Sequence, residues 1–473
     1  MGKTFRPYDM SQQFLLPPDL RQWLEEGHLA LFVSDVVEEL NLSAIMKSYE
    51  EGDGRGRPPY HPLMMVKLLV YGYCIGKMSS RKIEHATYDD IAFRVLACNQ
   101  HPDHDSIAEF RKRHLNELAN LFVQVLTLCQ RAGLVKLGRV AIDGSKFKAN
   151  AYKYKTKRYW RLNEEEAKLQ AEVQRLLKQA QEVDEAEDKS CGKGKRGDDL
   201  PEELRRRETR LARIREAKRS LEDEAKQRYE KKVKEVEEKL EQRRKAEEET
   251  GKKAKGREPK LPDPKDALPS NSASRNLTDL DSRIMKDGAT KSFQQCYNGQ
   301  LAVDSETQII VGAKIVQTTN DQQQLVPMLE EVAKNCGSKP DAAMADAGYF
   351  SSAAVTAQAV EGITLYVPPN QRRPEKDPII GVVGPNAKVS DKMWHRLMSE
   401  EGKTIYKSRG AIVEPVFGQI KQVRGFRQFL LRGLEKVSGE WLLICATHNL
   451  LKLFRATVGT QSQPERWLAT VAR

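Results

Sequence analysis

Two aspartates in this sequence occupy similar positions at the ends of short apolar runs. Asp143 follows the run GRVAI and precedes a glycine, and Asp346 follows the run DAAMA and has a glycine two residues later. Both runs predict strands that end at the aspartate. Side chains at the carboxyl ends of neighbouring strands in an α/β sheet converge on one crevice. We therefore expect the two carboxylates to lie close together.

A third acid, Glu414, lies in the helical pattern of the segment YKSRGAIVEPVFGQIK, which begins at Tyr406. Pro415 fits best in a first helical turn, so we expect this helix to begin near Ala411. Three carboxylates in a basic chain suit hard cations better than general acid–base catalysis, because Mg²⁺ prefers carboxylate oxygens, waters and phosphate. Two such ions about 4 Å apart can activate an attacking oxygen and stabilise a leaving oxygen at phosphorus.

The composition favours a polyanionic partner. The 473 residues carry a net charge of +12, and the pI is about 9.1. Nucleic acid fits this balance, and an acidic membrane surface also fits it. The longest apolar run, PLMMVKLLVYGYCIG from Pro62, is too short to span a membrane, and the N-terminus has no signal-peptide pattern. We expect a soluble intracellular protein with no membrane partner.

The seven cysteines are scattered and form no C-x-x-C pair, which argues against a zinc site and a disulfide framework. We expect reduced, mostly structural thiols.

Basic residues near the acids are candidates for phosphate contacts. The lysines that follow Asp143, Lys146 among them, would lie near the metal ions. The segment RGFRQFLLRG contains Arg424 and Arg427 around Phe426, a mixture that suits binding of a DNA backbone. The same pattern also fits the edge of a strand.

The distribution of helical and strand patterns predicts an α/β protein with a mixed sheet. A capping box at Ser106–Glu109 predicts a long amphipathic helix in the N-terminal region. The runs CYNGQLAVD and QIIVGAKIVQ predict a β-hairpin. Asn320 is expected to cap the following helix, and Gly337 to close it.

A coiled coil interrupts the sheet. Leu162, Leu169, Leu176 and Val183 recur every seven residues, with Val173 and Ala180 as the second seam, and a second arm contains Leu204, Leu211, Ile214 and Leu221. Gly192, Gly194, Gly197 and Pro201 predict the turn of an antiparallel hairpin. A single solvated helix is the alternative interpretation.

The predicted division of the chain has six parts. They are a helical N-terminal domain (1–135), the first part of the α/β core (136–157), the coiled-coil insertion (158–250), a Pro- and Lys-rich linker (251–275), the remainder of the core (276–430) and a C-terminal helical region (431–473).

The segments AIDGSKFKA and ADAGYFS, with Tyr406-x2-Arg409-x4-Glu414-x6-Lys421, resemble the three catalytic blocks of bacterial insertion-sequence DDE transposases. The N-terminal segments GRPPYHPLMMVKLLVYGY and PDHDSIAEFRKRHL are similar to the helical domain that precedes the core in one branch of that family. The chain departs from the family pattern in the four residues between Arg409 and Glu414, where three are usual.

This resemblance implies an RNase H-like core in which Asp143, Asp346 and Glu414 bind two Mg²⁺ ions, for which Mn²⁺ can substitute. It implies cleavage of double-stranded DNA at the terminal inverted repeats of a transposon and joining to target DNA. Residues 1–135 would form a DNA-binding and dimerisation domain, and residues 136–157 and 276–430 would form the catalytic core. Tyr406, Arg409 and Lys421 would face the DNA. We expect a homodimer in the bacterial cytoplasm, associated with the nucleoid. Two alternatives are a domesticated RNase H-like nuclease without strand transfer and a non-catalytic coiled-coil DNA-binding scaffold.

Overall fold

A computed structural model of the chain describes residues 19–50, 58–191, 202–250, 256–286, 291–369, 384 and 387–458. For residues 180–191, 202, 203, 246 and 250 it describes the backbone alone. The chain divides into two compact units. The first comprises Met1–Phe147, Asn298–Leu430 and Glu435–Arg473, and the second comprises Lys148–Tyr297 and Leu431–Leu434.

Short α-helices make up the N-terminal part of the first unit, as the apolar periodicity predicts. In the described residues before residue 132 they are Leu29–Glu39 (α1), Ser43–Glu50 (α2), Pro62–Cys74 (α3), Ser80–Asp89 (α4), Ile91–Leu96 (α5), His104–Arg113 (α6) and Leu115–Arg131 (α7).

The single long helix predicted at Ser106 is wrong in two respects. Asp103, not Ser106, caps α6, because its side chain accepts a hydrogen bond from the Ser106 amide at 2.7 Å. His114 then leaves the helical conformation and separates α6 from α7. Its ring packs 4.8 Å from the ring of Phe110. Since both helices bury their apolar faces, the spacing of apolar residues continues across the break and does not reveal it.

The strands form one mixed sheet and one small two-stranded sheet. Their bounds in the described residues are Arg139–Lys148 (β1), Thr156–Arg158 (β2), Ser274–Asn276 (β3), Arg283–Lys286 (β4), Phe293–Asp304 (β5), Ile310–Val316 (β6), Ala342–Met344 (β7) and Thr364–Tyr366 (β8). The remaining α-helices are Tyr159–Cys191 (α8), Glu202–Thr250 (α9), Leu325–Cys336 (α10), Ser352–Val355 (α11), Val389–Met398 (α12), Glu400–Gly418 (α13) and Leu434–Val458 (α14).

The sheet of the first unit has the order β6-β5-β1-β7-β8. β7 pairs in parallel with both β1 and β8, whereas β5 and β6 form the predicted antiparallel hairpin. β4 pairs with the first half of β5 in the second unit. This mixed sheet with flanking helices is the predicted RNase H-like α/β core.

The helix after β6 begins later than predicted. α10 starts at Leu325, and Asn320 instead accepts a hydrogen bond from the amide of Gln322 in the preceding turn. Gly337 closes α10 with a left-handed φ of 75°, as predicted.

Helix α14 joins the sheet and the N-terminal helices in one core. Trp441 is fully buried, and its ring lies 4.8 Å from that of Phe147 in β1. Further along α14, the ring of Phe454 lies 5.2 Å from the ring of Phe32 in α1. The aromatic side chains of α14 therefore hold β1 and the N-terminal helices in a single hydrophobic core within the first unit.

In the second unit, α8 and α9 form the predicted coiled coil. Their shared apolar cluster consists of Leu162, Leu169, Val173, Leu204, Leu211, Ile214, Ala217 and Leu221. Glu166 adds ion pairs to Arg215 at 3.1 Å and Lys218 at 3.0 Å. The predicted seam residues Ala180 and Val183 have no described side chains, and the predicted turn from Gly192 to Pro201 lies outside the described residues.

The second half of α9 extends past α8 and packs against the chain that returns from it. Arg243 donates a hydrogen bond to the carbonyl of Gly256 at 3.1 Å, and the single turn Pro264–Ala267 lies along the same helix. The described residues of the Pro-rich linker therefore run back alongside α9.

The described cysteines whose side chains are placed are all free thiols, in agreement with the sequence prediction; they are Cys74, Cys98, Cys129, Cys296, Cys336 and Cys445.

Candidate active site

Asp143 and Asp346 lie at the same level of two neighbouring parallel strands. β1 pairs with β7 in a register that places Ala141 opposite Met344. Each aspartate lies two residues beyond this pair. Asp346 follows the end of β7 with an extended backbone, which keeps it near the level of Asp143, and its charge raises the pKa of the Asp143 carboxyl. The structure therefore brings these two predicted site residues together.

The sequence predicted that β1 ends at Asp143, but the strand continues beyond this residue. β1 continues to Lys148, and Phe147 in this last part of the strand is buried. Asp346 lies beyond the end of β7, where its carboxylate accepts a hydrogen bond from the amide of Gly348 at 2.9 Å.

The groups around Asp143 have opposing effects on the pKa of its carboxyl group. Burial raises the pKa of the carboxyl group, and the nearby charge of Asp346 raises it further. The guanidinium of Arg409, 3.2 Å from Asp143 Oδ2, and the amide of Gly144, 2.8 Å from Oδ1, lower it. The net result is a pKa above the usual range for aspartate.

Helix α13 carries three of the predicted site residues, but it begins much earlier than predicted. It starts at Glu400, where the side chain of Ser399 accepts a hydrogen bond from the amide of Gly402. Pro415 lies inside the helix and cannot donate to the carbonyl of Ala411. That carbonyl instead accepts a hydrogen bond from Gln308 Nε2 at 3.2 Å. A distant side chain thus makes an interior proline tolerable.

Tyr406 and Arg409 lie one turn apart on α13 and interact. Arg409 is mostly buried, with a side chain that is 17% exposed, and it forms the ion pair with Asp143. Burial raises the pKa of Tyr406, and the positive charge of Arg409 lowers it again in part. These two residues are therefore placed beside the aspartate pair.

The structure does not bring Glu414 together with the two aspartates. Its side chain is exposed and folds back along α13, so that Oε1 lies 3.0 Å from the position of a Cβ at Gly410. Glu414 is five residues after Arg409, which places it about 140° around the helix from the residue that faces Asp143. In the part of the chain that the structure describes, no three His, Cys, Asp or Glu side chains are gathered to hold a metal ion. The aspartate pair fits a hard cation by its donor chemistry, and a third carboxylate has to move to join it.

Lys421 and Lys146 are both engaged with the protein itself. Lys421 lies in the π-helical turn Gln419–Val423 and donates to Ser145 Oγ at 2.5 Å and to the carbonyl of Lys146 at 2.7 Å. Its ammonium group also lies 4.3 Å from the ring centre of Phe147. Lys146 Nζ is 3.3 Å from the carbonyl of Thr319.

The predicted DNA contact of Arg424 is wrong. Its side chain is buried, and its guanidinium donates to the carbonyl of Ile444 and to Thr447 Oγ1 within α14. Burial lowers its pKa to about 10. Arg427, three residues later, is exposed and bonds to the carbonyl of Lys421 at 3.3 Å, so its DNA contact stays a prediction.

A buried polar network beside Asp143 was missed by the sequence analysis. Asp321 Oδ1 accepts hydrogen bonds from the side-chain amides of Asn298 and Gln300, each at 2.7 Å, and Gln300 accepts one from the hydroxyl of Tyr349. A Cβ at Gly144 would lie 2.3 Å from Gln300 Nε2. Two amide side chains on the inward face of an otherwise apolar strand were the available signal.

Two other polar residues, Asp304 and His448, have structural roles. Asp304 accepts hydrogen bonds from the amides of Lys136 and Leu137. His448 is fully buried, bonds to the carbonyl of Gln308 at 3.1 Å and has a pKa lowered to about 3, mainly by burial. Neither belongs to the candidate site.

Two family models match the chain. A Transposase domain (DUF772) matches residues 18–113, and a Transposase DDE domain matches residues 272–450. No curated protein and no solved structure matches the chain. Within the described ranges, no helix has the length and apolar character needed to cross a membrane.

The second match contains Asp346 and Glu414, together with Tyr406, Arg409 and Lys421. Asp143 lies in the segment between the two matches, which also contains the coiled coil. The pairing of β1 with β7 is therefore what places Asp143 in the same site as the matched residues.

Proposed function

Since the chain belongs to the insertion-sequence DDE transposases, we propose that it cleaves the ends of an insertion sequence and joins them to target DNA by phosphoryl transfer. The observation that carries this proposal is the pair of carboxylates, Asp143 and Asp346, at one level of adjacent parallel strands. Helix α13 brings Arg409 to this pair and carries Glu414. The basic character of the chain suits a DNA substrate.

The family implies a divalent metal cofactor, and Asp143, Asp346 and Glu414 are the residues that would hold two Mg²⁺ ions, or Mn²⁺ in their place. When bound, the ions supply activation of the attacking oxygen and stabilisation of the leaving oxygen at phosphorus. Glu414 has to turn away from Gly410 to take part. Because its side chain is exposed, this rotation displaces no packed neighbour.

The other residues of the site are proposed to position DNA. Arg409 uses one of its five N–H donors in the ion pair with Asp143, and its remaining donors can bind phosphate. Tyr406 lies one helical turn from Arg409 and is proposed to help orient its guanidinium. Lys146 and Arg427 are proposed phosphate contacts. The proposed complex contains two copies of the chain, one for each inverted repeat, and is associated with the bacterial nucleoid.

Removal of each carboxylate tests the proposal. We expect Asp143→Asn, Asp346→Asn and Glu414→Gln each to abolish cleavage of a labelled DNA end in Mg²⁺ while leaving binding of that end largely intact, because each supplies oxygens that the others cannot replace. The controls are Asp341→Asn and Glu401→Gln, exposed acids before β7 and on α13. Near wild-type cleavage by any of the three variants would remove that residue from the site.

The products distinguish the alternatives. A gel assay with labelled transposon ends and a target plasmid should show joined products as well as cleaved ends. Cleaved ends without joined products would indicate a nuclease, and binding without cleavage by the wild type would indicate a scaffold.

A further inference from the structure

The chain segment after Asp143 is rich in both basic and aromatic residues. Residues 148–161 contain no acidic residue. The basic residues of this segment are Lys148, Lys153, Lys155, Lys157, Arg158 and Arg161, and the aromatic residues are Tyr152, Tyr154, Tyr159 and Trp160. All of them belong to the second unit. We call residues 148–161 the aromatic–basic segment.

Three aromatic side chains of this segment are exposed to solvent. Tyr152 is 60% exposed, Tyr154 is 70% exposed and Trp160 is 44% exposed. The rings of Tyr152 and Tyr154 lie 5.3 Å apart and are tilted by 57°, so each ring keeps an open face. Exposed aromatic side chains that cluster mark interaction surfaces more often than they stabilise a monomer.

The backbone that carries these side chains is held in place. The carbonyl of Tyr152 accepts a hydrogen bond from the buried side chain of Asn276 at 2.9 Å. The carbonyl of Lys155 accepts one from the amide of Leu277 at 3.1 Å, and β2 pairs with β3 directly afterwards. The exposed rings therefore stand on a fixed support, which lowers the entropic cost of binding a ligand.

The positive charges of the segment are largely uncompensated. Lys157 forms an ion pair with Glu165 at 2.6 Å. Among the described residues, Lys148, Lys153, Lys155 and Arg158 have no acidic partner. Lys153 Nζ lies 5.2 Å from the ring centre of Tyr154, and the guanidinium of Arg161 lies 5.5 Å from that of Trp160. A cation thus lies over one face of the Tyr154 ring and of the Trp160 ring.

We propose that the aromatic–basic segment binds unpaired DNA, with bases stacked on Tyr152, Tyr154 and Trp160 and phosphates bound by Lys153 and Lys155. A base inside a duplex is stacked between its neighbours, whereas an unpaired base can stack on an aromatic side chain. Basic side chains beside the aromatic residues can then bind the phosphates of the same strand. The inference rests on the proposed DNA-processing function, since strand cleavage frees ends that can separate. It deepens that function by naming the strand state that the protein recognises.

Fluorescence anisotropy with labelled oligothymidylate of about 12 nucleotides tests this inference, because single-stranded sites of this size are typical. Binding is measured with EDTA present, so that cleavage plays no part. We expect Tyr152→Ala and Tyr154→Ala each to weaken binding about tenfold, while Tyr152→Phe and Tyr154→Phe bind as the wild type does, because the ring face is retained. Leu268→Ala removes another side chain of the second unit, 64% exposed and without a π face, and should leave affinity unchanged.

Salt dependence separates the stacking residues from the phosphate contacts. Lys153→Ala and Lys155→Ala should each lower the slope of log affinity against log salt by about 0.7, the value for one phosphate of a single strand. The tyrosine variants should leave the slope unchanged. Lys157→Ala is the matched control, because Lys157 is already paired with Glu165.

Three results would overturn the inference. They are unchanged affinity in the alanine variants, equal losses in the alanine and phenylalanine variants, and binding of blunt duplex with no binding of oligothymidylate by the wild type. A failure of the proposed function is distinguishable, because it appears as absent cleavage in Mg²⁺. The Asp143→Asn variant should bind oligothymidylate normally whether or not the protein is a transposase.

Discussion

At the scale of single residues, the candidate site consists of two negatively charged carboxylates, Asp143 and Asp346, and one positively charged side chain, Arg409. Asp143 and Asp346 repel each other, and Arg409 offsets part of this repulsion, mainly through its ion pair with Asp143. Such a pair is costly in a folded protein and gains most from a bound cation. The ion pair with Arg409 thus lets the site fold with both carboxylates in place.

The contacts of Lys421 within the protein explain its position better than the DNA contact that the family resemblance implies. Because its ammonium bonds to Ser145 and to the carbonyl of Lys146, we expect Lys421→Met to lower the free energy of unfolding by about 1–2 kcal/mol. Urea unfolding measures this change. Lys407→Met, an exposed lysine of α13, is the control.

The same variant tests the DNA contact predicted for Lys421 from the sequence. A phosphate contact would lower the salt slope of duplex binding by about 1. An unchanged free energy of unfolding together with a lower slope would contradict the role we give to Lys421 and restore the DNA contact.

His448 gives the protein a predictable dependence on pH. Its pKa is lowered to about 3 in the folded state, from 6.5 for a free imidazole, so the unfolded state binds the extra proton between these values. Above pH 6.5 His448 is neutral in both states, and its contribution to the free energy of unfolding is fully present. As the pH falls below 6.5, the unfolded state takes up the proton first, so the free energy of unfolding decreases. Between pH 7 and pH 5 this loss amounts to about 2 kcal/mol.

Urea unfolding of wild type and His448→Gln at pH 7 and pH 5 measures the effect. The variant should lose less stability on acidification than the wild type. His85→Gln, at an exposed position, should behave as the wild type. Identical pH dependence in His448→Gln and the wild type would show that another group is responsible.

At the scale of elements, strand β1 depends on the absence of a side chain at Gly144. A Cβ there would lie 2.3 Å from Gln300 Nε2 and 3.0 Å from Asp321 Oδ1, and both atoms are held in the buried network. We expect Gly144→Ala to lower the free energy of unfolding by about 1–3 kcal/mol and to reduce cleavage, because either β1 or the network has to shift.

Gly138→Ala is the matched control, since the nearest atom to a Cβ at Gly138 is Asp341 Oδ2 at 4.0 Å. Its stability and cleavage should equal those of the wild type. Thermal unfolding and the DNA-end cleavage assay report on the two variants separately. Equal stability of Gly144→Ala and Gly138→Ala would contradict the close approach of β1 to the network.

At the scale of the whole molecule, the coiled coil is an insertion with its own apolar cluster. Replacement of residues 176–206 by a short Gly/Ser linker keeps Leu169, Val173 and Leu211 and removes the outer part of the hairpin. We expect a folded protein, because the inner part of the apolar cluster is retained, and the mass of this variant tests whether the outer hairpin holds the expected homodimer together. Analytical ultracentrifugation measures the mass, and circular dichroism measures the fold.

Replacement of residues 160–262 is the contrasting variant. It removes the surface on which Ala273, Leu277 and Leu280 pack, so it should destabilise the second unit. Loss of folding in the shorter replacement would show that the outer hairpin is part of the core. An unchanged dimer would place the dimer interface elsewhere.

The sequence was sufficient for elements whose signal is local and periodic. The seven-residue repeat from Leu162 predicted the coiled coil, and alternation with a short turn predicted the hairpin of β5 and β6. The glycine at position 337 predicted the end of α10, and Gly337 adopts the left-handed conformation there. In each case the residues that determine the element are neighbours along the chain, so periodicity and turn chemistry carry enough information.

Tertiary structure decided the rest, because the determining contacts join distant parts of the chain. Pro415 is tolerated inside α13 because Gln308 satisfies the carbonyl of Ala411. Arg424 is buried because α14 supplies acceptors for its guanidinium, although its local sequence resembles a DNA-binding segment. The sequence by itself determined which carboxylates are candidates. The register of β1 on β7 decided that Asp143 meets Asp346, and the direction of α13 left Glu414 apart from them, since side-chain direction in a helix follows from where the helix begins and packs.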